Sequence, residues 1–204
     1  MSTRISWTNE TWNPVTGCTP VSEGCKNCYA ERMSKRLAGR CGYPAGDHAF
    51  DVHVHMNRMW DPLGWKNPRM VFVCSMGDLF HKRVPDHTRD MVFTVMAGSR
   101  RHTFQVLTKR PEIMAEWISK SAFAGENFPS NVWLGVSVES RATLAHRVGQ
   151  LSGIENVSVR FMSAEPLLES LDEIDLHIDS LDWIIAGCES INARPGTSER
   201  GMVP

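Results

Sequence analysis

Three cysteines fall within eleven residues: Cys18, Cys25 and Cys28, in the segment GCTPVSEGCKNCYAERM, spaced C-x6-C-x2-C. The C-x2-C half is short enough for both thiolates to reach one metal ion or cluster. Gly17, Pro20 and Gly24 let the loop fold back so that Cys18 can join them. The helix expected near Cys28 aims its N-terminal N–H groups and positive dipole end at the loop, which favours thiolates and an anionic group. Lys26 adds a further positive charge. Two chemistries fit. One is zinc stapling the loop, with a fourth ligand drawn from Cys41, His48, His53 or His55, because structural zinc takes four ligands. The other is an iron–sulfur cluster with three protein-ligated irons and one open iron, since an open position lets a substrate or cofactor reach the metal.

The second group of candidates lies where apolar runs end. Strands are predicted at Met70–Ser75, Thr103–Leu107, Asn131–Val138, Val157–Met162 and Trp183–Ala186, with one more near Asn13–Thr16 leading into the cysteine loop. Helices are predicted over 29–40, near 86–99, 111–120 and 140–151, and at 167–174. Strand followed by helix, repeated, is the pattern of a parallel sheet covered by helices. Each strand runs out into a polar cluster: Ser75-Met76-Gly77-Asp78, Thr108-Lys109-Arg110, Ser137-Val138-Glu139-Ser140, Ser163-Ala164-Glu165-Pro166 and Gly187-Cys188-Glu189-Ser190. In parallel α/β folds these ends share one face, where sites form. Glu139, Glu165, Ser75, Asp78 and Lys109 are therefore candidate cofactor-binding residues. Any one of them could equally be a helix cap or a solvated charge. Lys109-Arg110 stands where a phosphate or a cofactor carboxylate would bind.

The expected fold is α/β: a partial TIM-like parallel barrel of about six βα units with an N-terminal Cys-rich cluster loop. It forms one domain over 1–204, with a cluster-loop region at 1–28, an irregular insertion at 41–69 and a polar tail at 196–204. The composition agrees. The 204 residues are 42% hydrophobic and 22% charged, as in a globular chain rather than a disordered one. A net charge of -1 excludes a global basic field for indiscriminate nucleic-acid binding. The basic stripe Arg32, Lys35, Arg36 and Arg40 reads as a solvated helix face or, alternatively, as a phosphate-contacting one. Trp7, Trp12, Trp60 and Trp65 read as loop-packing residues, or as stacking partners for a base. No apolar run spans a membrane and the start has no signal core, so a cytoplasmic location is expected. Cys74, within an apolar run, reads as a buried small hydrophobe.

A three-cysteine loop between the first strand and first helix of a parallel βα fold resembles the radical S-adenosylmethionine superfamily. The usual spacing there is C-x3-C-x2-C, with an aromatic residue before the last cysteine. Here the first gap is longer and Tyr29 follows Cys28. More closely, TWNPVTGCTPVSEGCKNCYAERM, NPRMVFVCSMGDLFH, HTFQVLTKRPEIM, NVWLGVSVES, RFMSAEPLL and DWIIAGCESINARP resemble the phage-associated three-Cys-motif family, over nearly the whole chain to Pro195. The resemblance implies a [4Fe-4S] cluster on Cys18, Cys25 and Cys28, and S-adenosylmethionine chelating the fourth iron. Its reductive cleavage to a 5′-deoxyadenosyl radical would modify a substrate that the sequence does not identify, in the cytoplasm of a bacterial host. It also implies a reductase or phage-encoded partner. Nucleic acid follows from the phage context alone.

Two departures carry consequences. Ser163-Ala164-Glu165-Pro166 is similar to the superfamily's Gly-Gly-Glu-Pro element, which contacts the cofactor's amino group, but it follows the fifth strand rather than the second. Beyond Arg194-Pro195, where the family continues through another helix and strand, this sequence reads GTSERGMVP. A missing closing unit would expose the strand Trp183–Ala186, so a homodimer, or a truncated inactive relative, is a further expectation. The alternative to an enzyme is a metal-stapled binding protein without catalysis.

Overall fold

In the computed structural model, which describes residues 3, 5–171 and 178–187, six strands pair side by side. They are β1 (Glu10–Trp12), β4 (Met70–Val73), β5 (Thr103–Thr108), β6 (Val132–Ser137), β7 (Arg160–Ala164) and β8 (Trp183–Ala186). Their order in space is their order in sequence, and every neighbouring pair is parallel. The connections carry α2 (Asp86–Gly98), α3 (Pro111–Lys120) and α4 (Arg141–Ser152). Among the described residues no pairing joins β1 to β8, which are the two edges of this sheet.

Alternate residues of each strand face opposite sides. On the helix side the register stacks apolar rows: Val71 beside Phe104 beside Val132, and Val73 beside Val106 beside Leu134. These side chains are buried with Val92, Phe93 and Met96 of α2, Met114 and Trp117 of α3, and Leu144, Val148 and Leu151 of α4. Burying each contributes about 1.5–3 kcal/mol. The other side is aromatic. Phe72, Gln105 and Trp133 form one row, and Gly135, Phe161 and Trp183 another. Gly135 is required there, because a Cβ would lie 2.4 Å from the Phe161 ring. Trp7 lies over this face, 4.8 Å from Phe72 and 6.1 Å from Trp183 between ring centroids, and Gln105 Nε2 donates to its carbonyl at 3.2 Å. A residue ahead of β1 thus touches β8 at the far edge, so the sheet is strongly curled.

Four expectations are corrected. The first strand of the sheet is β1, ahead of Asn13–Thr16; β2 (Val15–Thr16) instead pairs antiparallel with β3 (His53–Val54) as a separate ribbon. Proline at position 14 has no N–H to extend β1 and turns the chain out of the sheet. The region 1–28 is therefore not wholly loop. Helix α1 (Tyr29–Leu37) stops short of 40, with Gly39 at φ +68°. Residues 167–171 are not helical: Leu167 and Leu168 donate backbone N–H groups to Gly187 and Glu139, which leaves the chain extended. Residues 172–174 of that expected helix lie outside the described residues, as do Cys188, Glu189, Ser190, Arg194, Pro195 and the 196–204 tail. The insertion 41–69 is largely irregular as expected, with short 3-10 turns around β3.

Candidate functional site

The C-terminal ends of the strands open into a cavity of about 1110 Å³. Cys18, Cys25 and Cys28 all line it, as do Ser75, Asp78, Lys109 and Glu165. The cysteine loop is seated there by backbone contacts. Gly17 donates its N–H to Met76 O at 2.9 Å and forms a bridge to Gly77, while Cys18 N–H reaches Phe50 O at 3.2 Å. Gly17 holds φ +85°, and a Cβ on it would sit 2.1 Å from Asp51 O, so only glycine fits between the insertion and the end of β4. The loop then makes one 3-10 turn at Glu23–Cys25, and Cys28 becomes the N-cap of α1.

Two buried ion-pair networks hold this loop from below. In the first, Asp78 accepts from Thr108 Oγ1 at 2.8 Å, Phe80 N at 2.9 Å, Lys109 N at 3.3 Å and Arg110 Nη1 at 2.9 Å. Arg110 so fixed donates from Nη1 to Cys18 Sγ at 3.3 Å and from Nη2 to Thr19 O at 2.7 Å. His81 Nε2 meets Thr19 Oγ1 at 2.9 Å. In the second, Glu139 takes a two-pronged contact from Arg147, at 2.8 and 3.3 Å, and lies 3.7 Å from Lys109 Nζ. Lys109 Nζ in turn stands 3.9 Å from Cys25 Sγ. Gly24 lies on this pair: a Cβ there would be 2.9 Å from Lys109 Nζ and 3.1 Å from Glu139 Cδ.

The thiols differ in their surroundings. Burial, aided by the Asp78 carboxylate, pushes the Cys18 thiol up to about 11 against the pull of Arg110. Burial also opposes ionisation of Cys25, but backbone hydrogen bonding from Val21 and Ser22 and the Lys109 charge outweigh it, leaving that thiol below its ordinary value. Cys74 is 3% exposed and pushed up to about 12 by burial, which fits a small apolar core residue. Among the described residues, no three His, Cys, Asp or Glu side chains close around one point as ligands of a single ion.

Of the residues marked from sequence, Ser75, Asp78, Lys109 and Glu165 share the cavity with the cysteines, whereas Glu139 is 1% exposed beneath the loop. Ser75 exchanges hydrogen bonds with Asn13, whose Oδ1 also accepts from Met76 N. Glu165 Oε2 accepts from Ser163 Oγ at 3.1 Å, and its other oxygen presses on Gly187, where a Cβ would be 2.2 Å away. Arg110, expected to await a phosphate or carboxylate, lines the same cavity, though at 5% exposure its guanidinium is already engaged by Asp78, Thr19 and Cys18. Asn13, His81 and Arg147 were not marked. The available signal was position: Asn13 directly follows β1, and Arg147 lies one helical turn beyond Thr143, on the face of α4 toward the sheet. On α1, Lys35 pairs with Glu31 at 2.8 Å and Arg36 is exposed, as is Arg40 beyond the end of the helix. His55 is buried against Thr16 Oγ1 at 2.7 Å, Cys41 is exposed, and His48 pairs with Asp51. Trp12 is a core residue and Trp65 packs on Arg69 and His102, whereas Trp60 is exposed. No described helix is long and apolar enough to cross a membrane.

A family model described as "Protein of unknown function (DUF5131)" matches residues 2–202. The chain belongs to that family. No curated protein and no solved structure matches it.

Proposed function

We propose that this protein is an iron–sulfur enzyme of the radical S-adenosylmethionine type, acting on a substrate admitted at the strand ends. The observation that supports it is the gathering of three thiols from one short loop on the wall of a single cavity, with Ser75, Lys109 and Glu165 on the same wall. The donor set fits the group. A cubane takes each thiolate at a different iron, so its three ligands need not converge on one point as the ligands of zinc must. Cys18, Cys25 and Cys28 would hold it. When bound it would supply one electron to the sulfonium of S-adenosylmethionine, breaking the S–C5′ bond to give methionine and a 5′-deoxyadenosyl radical.

This chain's own residues orient and shield. Arg110 and the Gly17–Gly77 contact fix the loop in place. Glu165, backed by Ser163, offers a carboxylate for the amino group of a bound amino acid moiety. The aromatic floor of Trp7 and Phe72 keeps water out of the cavity's base. We also read the curled sheet as a partial barrel, supported by the sequential strand order and the Trp7–Trp183 contact. The resemblance to a phage-associated family adds a phage or prophage origin and a one-electron donor protein as partner.

The test is anaerobic reconstitution with iron and sulfide, followed by electron paramagnetic resonance of the reduced protein with and without S-adenosylmethionine. The expected result is a [4Fe-4S] signal that changes when S-adenosylmethionine is added. It should be lost in Cys25→Ala and kept in Cys74→Ala. Stoichiometric zinc with no iron would overturn the proposal in favour of a stapled loop without catalysis.

A further inference from the structure

Resting on that reading of the three thiols, we infer that Lys109 and Arg110 are a carboxylate-anchored cation pair that raises the reduction potential of the cluster held by Cys18, Cys25 and Cys28. The two are consecutive residues leaving β5, yet their side chains diverge to different sulfurs. Arg110 Nη1 is 3.3 Å from Cys18 Sγ and Lys109 Nζ is 3.9 Å from Cys25 Sγ. Each is tied behind to its own buried carboxylate, Arg110 to Asp78 at 2.9 Å and Lys109 to Glu139 at 3.7 Å. Those carboxylates cannot swing away. Asp78 is fixed by Thr108 Oγ1 and two backbone N–H groups, and Glu139 by the fork of Arg147. The third sulfur, on Cys28, belongs to the N-cap of the nine-residue α1, where the helix dipole is positive. Each thiol therefore has its own positive partner, two of them side chains at the end of β5 and the third the start of α1.

The charge count points the same way. Within this bonded group the cations are Lys109, Arg110 and Arg147 and the carboxylates are Asp78 and Glu139, which leaves one positive charge in excess. Side-chain exposures of 17% for Lys109 and 6% for both arginines mean that water screens this excess poorly. A buried surplus of positive charge is costly unless an anion joins it. Three thiolates on a [4Fe-4S] core in its oxidised state carry one net negative charge. Reduction adds one electron, taken from a low-potential one-electron donor, and makes that two. A fixed cation at the sulfurs stabilises the more negative state, so the potential rises.

The experiment is a dithionite redox titration of the anaerobically reconstituted protein, followed by electron paramagnetic resonance, with iron and sulfide measured on each sample. Lys109→Gln should keep its iron and sulfide. At a fixed ambient potential its ratio of reduced to oxidised cluster should fall about tenfold, a midpoint lower by about 59 mV for one electron. Lys109→Arg, which keeps the charge, should restore the wild-type midpoint. Arg110→Gln should shift it in the same direction, and Arg110→Lys should restore it in part. A role in loop architecture alone would alter cluster content without moving the midpoint. Unchanged midpoints in Lys109→Gln and Arg110→Gln with the cluster intact would overturn the inference and leave the proposed function standing. A wild-type protein that takes up no iron and sulfide would overturn both.

Discussion

The two faces that meet at the end of the sheet are held together in opposite ways. The helix side is apolar and non-directional: Val71, Phe104, Val106, Val132, Leu134 and Val136 are all fully buried against helices. The strand-end side is as deeply buried, but its members are Asp78, Thr108, Arg110, Glu139 and Arg147, every one of them paired. An apolar layer responds to volume and forgives a change of shape that keeps it. A buried polar layer responds to the loss of a single partner, because the group left behind stays desolvated and unpaired. The first makes the fold; the second places the cysteine loop.

The sharpest way to break this comparison is a pair of nearly isosteric substitutions. Asp78→Asn keeps the shape but leaves the Arg110 charge buried without its counter-ion, and should cost about 3–5 kcal/mol in denaturant unfolding. Leu134→Met keeps the volume and should cost less than about 1.5 kcal/mol. Equal costs for the two would remove the distinction between the layers.

Acid should separate the regions next. His55 is 3% exposed beneath Gly42 and beside Thr16, and burial, with Arg58 and His53 nearby, lowers its pKa to about 4. It folds neutral, while in the unfolded chain it titrates near 6.5. Its contribution is therefore complete above about pH 6.5 and is lost as the pH falls toward 4. The loss over that window is on the order of 3 kcal/mol. His81, lowered to about 4 by burial and by Arg110, has the same sign. Unfolding measured between pH 7 and 4 should be steep in the wild type and flatter in His55→Gln. Parallel profiles would show that His55 is not held neutral.

Much of this was legible in the sequence for a reason that differs between the layers. Strands β4 to β8 and helices α2 to α4 announce themselves by apolar runs and periodicity, so the fold class follows from pattern alone. The three cysteines, and the polar clusters that follow the strands, were equally visible, because strand ends converge in any parallel sheet. What could not be read was which strand-end charges are already paired within the protein and that Glu139, unlike Arg110, lies off the cavity wall. Arg110 and Glu139 look like ligand-binding groups in sequence, yet each is consumed by a partner 32 or 8 residues away. The displaced first strand has another cause. Three residues, Glu10–Trp12, are too few to show a period, and Pro14 then splits them from the ribbon.

The loop's seating gives a smaller effect. Gly17→Ala forces a side chain into φ +85° and against the Asp51 carbonyl, and should cost about 2–3 kcal/mol. Gly46, at φ +60° in the same insertion but with nothing within 4 Å of its Cβ position, should lose only about 1 kcal/mol on change to alanine. Thermal unfolding of the two variants side by side tests whether contact, rather than backbone angle alone, makes Gly17 indispensable.

The smallest effect expected lies at the joint between the layers. Ser140 caps α4 in a reciprocal box with Thr143: its Oγ accepts from Thr143 N at 3.3 Å, and Thr143 Oγ1 accepts from Ser140 N at 2.9 Å. The same Thr143 hydroxyl takes the N–H of Glu139 at 3.1 Å. The start of a helix that packs on the apolar side is thus bonded to the residue that holds Lys109 on the other. Ser140→Ala removes one of the two reciprocal bonds and should cost about 1 kcal/mol in unfolding. Because the Thr143 bond to Glu139 remains, the ion pair with Arg147 should survive. Hydrogen exchange should then quicken at Thr143 while the amides of Ser137 and Val138 keep their protection. Faster exchange throughout 137–144 would show instead that the cap and the ion-pair layer open as one unit.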